Sequence, residues 1–221
     1  MNKMEQLKRK LQDRRSGKVI FLSHCLLNMN ARYLGGAFRS CCVNEIVHGA
    51  VDRETAIIQM KCPEQQTWGG ILKPMMWLAF ESKKTFLYRM RPVILPFFLL
   101  YTRTIYRLIA REVVHELCDY VKSGYHVIGI VGIDGSPTCG VNRRIEIQQA
   151  FDYYATVSMK ELDQEHFNRS LYENCLTEGS GIFVEEVKRE LNRKRITIPF
   201  YSHSLLEEMN QMTDSIWEGI R

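Results

Sequence analysis

No apolar run in this sequence is long enough to cross a bilayer: the most apolar stretch, residues 93–101, is about half of the ~20 residues a spanning helix needs. No membrane span is therefore expected. Residues 1–18 lack the apolar core of a secretory signal, being charged and amphipathic, which points to cytoplasmic placement. A paired set of cysteines is missing as well. There are seven, two of them adjacent at Cys41 and Cys42, so no disulfide framework is indicated and a reducing compartment fits better. The sequence also lacks a long polar tract, an internal repeat and an interdomain linker, which argues against disorder, solenoids and tandem modules.

What is present is enough to build a core. The chain has 221 residues, 45% of them hydrophobic, a length that favours one domain over two. Its formal charge of +5 is spread along the sequence, with local concentrations at residues 8–15 and 189–195. Helix surfaces account for most of these cations, so nucleic acid is not expected as a partner.

Periodicity gives the layout. Met4, Leu7 and Leu11 recur at helical spacing among charges, predicting an amphipathic helix over residues 1–17. Short apolar runs at 18–23, 55–60 and 126–133 have strand length; 196–200 is a weaker fourth, placed at an edge by Pro199. Helical patterns are expected at 38–51, 97–123, 182–193 and 205–220. Near-continuous apolar strands separated by helices imply a Rossmann-like α/β fold, a parallel sheet sandwiched by helices. The domain is expected to run over 18–221, with a helical insertion at about 71–123 in which Pro74, Pro92 and Pro96 interrupt any single helix.

Three of the four expected strands run directly into a loop that carries a cysteine: Cys25 after the first, Cys62 after the second, Cys139 after the third. In an open parallel sheet, ligands bind beyond the carboxyl ends of the strands, so these loops should converge. Converging thiolates need a soft cation or cluster to offset their repulsion. By spacing alone the same cysteines also fit buried small hydrophobes or idle thiols. His24 is a possible fourth ligand, which keeps a structural zinc module open, whereas three cysteines without a fourth suit an iron-sulfur cubane with one open iron.

Cys25-Leu-Leu-Asn-x-x-x-Arg32-Tyr33-x-Gly35-Gly36, then Cys62-Pro63-Glu64 with Gly69-Gly70, then Ser136-Pro137-Thr138-Cys139-Gly140 resemble, in order and strand context, the three signature blocks of the TudS family of bacterial thiouracil desulfidases. The resemblance covers about residues 18–140 as separate blocks, with a looser echo over residues 181–193. It implies a [4Fe-4S] cluster held by Cys25, Cys62 and Cys139, a thiolated small molecule as substrate, and acid-base roles for Glu64 and Ser136. His24, Arg32 and Tyr33 are the candidate substrate-binding residues, although Arg32 and Tyr33 would serve equally well to brace the cysteine loop. The sequence departs from the family pattern at His24 and Leu34, and in the long, aromatic stretch between Cys62 and Cys139.

Two other readings remain at this level. The same three cysteines could support a different reaction at an open iron, such as dehydration or sulfur transfer. The basic and apolar region 86–111 could contact a membrane interface or a nucleic acid.

Overall fold

The computed structural model describes residues 3–210, 212 and 216–220, apart from the side chain of Glu161. Its elements are α1 (Lys3–Lys10), β1 (Lys18–Leu22), α2 (His24–Leu27), α3 (Asn44–Asp52), β2 (Ala56–Gln59), α4 (Pro63–Thr67), α5 (Pro74–Trp77), α6 (Phe86–Lys122), β3 (His126–Asp134), β4 (Arg143–Ile145), α7 (Ile147–Thr156), α8 (Gln164–Cys175), β5 (Leu176–Glu178), α9 (Ile182–Lys194), β6 (Phe200–Ser204) and α10 (Leu205–Met209).

Four strands form a parallel sheet in the order β2-β1-β3-β6, and β4 pairs with β5 in a separate antiparallel ribbon. Helices flank the sheet on both faces, as the continuous apolar runs require. Alternation along β1 sends Val19 and Phe21 toward a layer built from Tyr106, Ile109, Val113 and Leu117 of α6 and Phe183 and Val187 of α9. Ile20 and Leu22 point the other way, toward Ile46 of α3 and the aromatic layer of Tyr154 and Phe167 on α7 and α8.

The order of the strands fixes where a ligand belongs. From β1 the chain first adds β2 on one side and then crosses back to add β3 on the other, so the winding reverses at β1. The crevice beyond the carboxyl ends of β1 and β3 is the topological switch point.

Several expectations need correction. The fourth strand lies at 200–204, not 196–200. Pro199 has no amide hydrogen to give the ladder, and its carbonyl instead accepts from Ile130 N at 3.0 Å, just ahead of the pairing that begins at Phe200. The prolines do not interrupt the insertion as expected: α6 runs unbroken for 37 residues through Pro92 and Pro96, both on exposed positions. That length also revises the apolar run, because α6 is one helix long and apolar enough to cross a membrane by length and composition. The helix expected over 38–51 begins at Asn44. The one expected over 205–220 ends at Met209 and is followed by a short 3₁₀ turn at Ile216–Glu218, with residues 211 and 213–215 outside the described ones.

Candidate functional site

The three expected ligands come from three adjacent strands. Cys25 lies in the first turn of α2, two residues beyond Ser23, whose amide still donates to Val131 O on β3. Cys62 precedes α4, where Pro63 at the first helical position supplies the fixed φ that starts a helix. Cys139 ends a tight loop that folds back on β3, its carbonyl accepting from Ile133 N at 2.8 Å.

All three are free thiols; Cys62 and Cys139 are buried and Cys25 is partly so. Burial pushes each thiol up, Cys62 to about 12, and each of the three is raised further, or raises another, through mutual charge repulsion. They therefore share the space beyond one end of the sheet, within charge-interaction range of one another. Lys73 works against the rise at Cys25 and Cys62, and Arg32 does so at Cys25, so positive charge is already in place for thiolates. Ser23 Oγ is buried with no nitrogen or oxygen partner, and it lies against the Cys139 thiol.

The loop that presents Cys139 is held by side chains at both ends. Ser136 Oγ accepts from Thr138 N at 3.2 Å and Cys139 N at 3.0 Å, a turn cap that fixes the cysteine while leaving the hydroxyl proton free to donate. Asp134 Oδ1, at the end of β3, accepts from Val141 N and Asn142 N, both at 2.9 Å. Gly140 allows the chain to close, since a Cβ there would sit 2.3 Å from Arg143 O. Tyr106 of α6 links this loop to α4: its hydroxyl meets Thr138 Oγ1 at 3.2 Å and also bonds Thr67.

Glu64 faces the same space, and its carboxylate pairs with Lys73 Nζ at 2.7 Å. Burial alone would lower the Lys73 pKa, but the Glu64 carboxylate together with Cys62 and Cys25 outweighs it, and the ammonium is held above its usual value. Glu64 also lines a cavity of about 30 Å³ with Tyr33, Trp68, Pro137, Phe151 and Tyr154. This space suffices for a water or two.

Arg32 and Tyr33 sit as braces. The Arg32 guanidinium forks onto Glu208 at 2.7 and 2.9 Å and also donates to Gly36 O at 3.2 Å. Tyr33 lines the cavity, but its hydroxyl donates to Asn168 of α8, and burial raises its pKa. His24 is half-buried at the rim with its pKa lowered by burial. Among the described residues, no three His, Cys, Asp or Glu side chains are gathered tightly enough to hold a single metal ion. A cubane spreads its irons over separate corners, so three cysteines that ligate it need not meet at one point.

Known proteins add no assignment. The chain matches no family model, no curated protein and no solved structure. The resemblance to the desulfidases therefore stands on its three blocks alone.

Sequence reasoning missed Lys73, Asp134, Glu208 and His203. Lys73 lay in a Gly/Pro-flanked loop with no periodicity to mark it. Glu208 and His203 belong to the fourth strand and the helix after it, where the strand was placed four residues too early. The remaining cysteines fit their expected packing roles at Cys118 and Cys175, both buried, while Cys41 is exposed.

Proposed function

We propose that the chain is a desulfidase that removes sulfur from a thiolated small molecule of the thiouracil type, acting in the cytoplasm. One observation carries this reading: three free cysteines, one beyond the carboxyl end of each of three adjacent parallel strands, lie within charge-interaction range of one another and of a buried Glu64–Lys73 pair.

The donor set suits a [4Fe-4S] cluster, since three soft thiols with cationic side chains nearby can accept a cluster through Cys25, Cys62 and Cys139. Such a cluster, with one iron not held by the protein, supplies Lewis acidity to a thiocarbonyl sulfur. The chain's own residues supply the rest. Glu64, paired with Lys73, takes a proton from a water aimed at the thiocarbonyl carbon. Ser136, whose oxygen is occupied by two amides, has its proton available for the ring nitrogen or the departing sulfur. The aromatic walls of Tyr33, Trp68 and Tyr154 exclude bulk water and would meet a flat ring once Phe151 gives way. Water oxygen replaces sulfur, hydrosulfide leaves, and the substrate is neither oxidised nor reduced.

The test is anaerobic purification or reconstitution, with iron, sulfide and the conversion of 2-thiouracil to uracil measured together. About four irons and four sulfides per chain are expected. Both should be lost in Cys25→Ala, Cys62→Ala and Cys139→Ala and kept in Cys118→Ala. Absence of iron after reconstitution, or bound zinc in its place, removes the reading.

A further inference from the structure

Helix α6 has two unlike halves. From Thr102 onward it contributes Tyr106, Ile109, Ala110, Val113, Val114 and Leu117 to the core, whereas none of its residues before Thr102 is buried. The first half extends beyond the sheet on the side where the cysteine loops lie, since the second half already leads through Gly124 into the start of β3.

That projecting half is apolar, and away from Phe98 and Leu99, which pack against the core, it is uncovered. Phe86 is 77% exposed, Phe97 70% and Leu100 64%. Val93, Phe97 and Leu100 follow helical spacing and form one exposed apolar stripe, a surface of the kind that marks an interaction site.

Charge says what kind of surface covers it. Between Ser82 and Arg111 there are seven Lys and Arg and no Asp or Glu. Four of these cations are matched by acids elsewhere: Arg91 by Asp152, Arg103 by Glu185, Arg107 by Glu186 and Arg111 by Glu190. The other three, Lys83, Lys84 and Arg89, have no ion pair among the described residues, and they cluster at the start of the helix beside Phe86 and Leu87. A second copy docked face to face would set these like charges against each other. An anionic bilayer surface meets both needs, accepting the apolar stripe below its headgroups and the cations among them.

A spanning role does not fit the same residues. The second half of α6 is locked into the core, and the free half, residues 86–101, is about 24 Å long against a hydrocarbon core of about 30 Å. We propose that the projecting half of α6 lies in the interface of an anionic membrane, anchored by Phe97 and Leu100 with Lys83, Lys84 and Arg89 at the headgroups. This does not depend on the chemistry at the cysteines.

The experiment is flotation of the full chain with vesicles of phosphatidylcholine alone and of phosphatidylcholine with phosphatidylglycerol, with light scattering on the same samples. Binding is expected only to the phosphatidylglycerol vesicles and should weaken at high salt. The triple charge reversal Lys83→Glu, Lys84→Glu, Arg89→Glu and the pair Phe97→Asp, Leu100→Asp should each reduce it at least roughly tenfold. These positions are exposed, so circular dichroism should be unchanged. Failure to float with anionic vesicles overturns the proposal, as does binding that survives both variants. So does a dimer in solution that Phe97→Asp, Leu100→Asp dissolves, which would assign the face to a second copy. Resistance to alkaline carbonate extraction from cell membranes would overturn it in favour of a span.

Discussion

Lys73 Nζ lies 2.7 Å from Glu64 Oε2, and both side chains are nearly withdrawn from water, at 3% and 11% exposure. The backbone at Lys73 is left-handed, with φ 50°, a conformation a lysine adopts only under constraint. Removing one partner of such a pair leaves an uncompensated buried charge, which costs about 3–5 kcal/mol. Lys73→Met should therefore lower the urea midpoint sharply. Glu64→Gln in the same chain should recover most of that loss, because the stranded charge is gone. Under the desulfidase reading activity should behave differently: both the single and the double variant should desulfurate at least tenfold more slowly, as expected of a general base and the cation that serves it. A double variant as active as wild type would remove Glu64 from the mechanism.

Arg32 predicts a dependence on acid. Burial would raise the pKa of Glu208, but hydrogen bonds from His203 at 2.7 Å and from the Arg32 fork bring it down to about 2. A carboxylate depressed on folding contributes stability that is fully present above its unfolded value of 4.5 and is lost as pH falls through the folded one. The contribution is about 3 kcal/mol, and it should disappear between pH of about 4.5 and 2. Urea unfolding across that range should show the acid limb in wild type and a much flatter profile in Glu208→Gln. Equal slopes would mean that the pair is already broken.

Asp134 ties the end of β3 to the far side of the Cys139 loop through Val141 N and Asn142 N. Hydrogen bonds to a charged acceptor contribute about 1.5–3 kcal/mol, and the buried Val141 amide would lose its only side-chain acceptor. Asp134→Ala should cost about 3 kcal/mol and, under the proposed cluster, lower the iron retained per chain. Asp134→Asn, which keeps one carbonyl acceptor, should lose less of both. Full iron retention in Asp134→Ala would show that the loop holds Cys139 without this tie.

The parts of this molecule that could be read from sequence are those where local pattern and tertiary role agree. Strands β1 and β3 are near-continuous apolar runs because both sheet faces are covered there, β2 is a partly exposed edge strand, and the boundaries of all three fall within about two residues of those expected. The cysteine loops follow from them. Strand β6 was misplaced because its residues, Phe200–Ser204, are mostly polar, and the burial of His203 against the Glu208 carboxylate leaves no apolar pattern to read. Helix α6 was cut short because a proline is read as a local break. In place, the helix persists through Pro92 and Pro96, both on exposed positions, with its second half pinned in the core. Helices α7 and α8, which wall the cavity and hold Tyr33, carried no signal as sharp as a strand followed by a cysteine.

Phe151 separates two spaces. It lines the small cavity with Glu64, and it also lines a larger cleft of about 140 Å³ formed with Leu78, Ile94 and Phe98 on the side of the projecting helix. A ring the size of thiouracil cannot enter the inner cavity as it stands, so the wall between the two must yield, and Phe151, half-buried and in edge contact with Phe98 and Tyr154, is the residue they share. Phe151→Ala should join the two spaces. Under the desulfidase reading, its KM for 4-thiouridine should fall roughly tenfold relative to that for 2-thiouracil, with kcat for the free base little changed. Truncating a half-buried ring should cost about 2 kcal/mol of stability, so assays belong well below the melting temperature. A KM that rises equally for both substrates would make Phe151 part of the binding surface for the ring itself, and would place the entrance elsewhere.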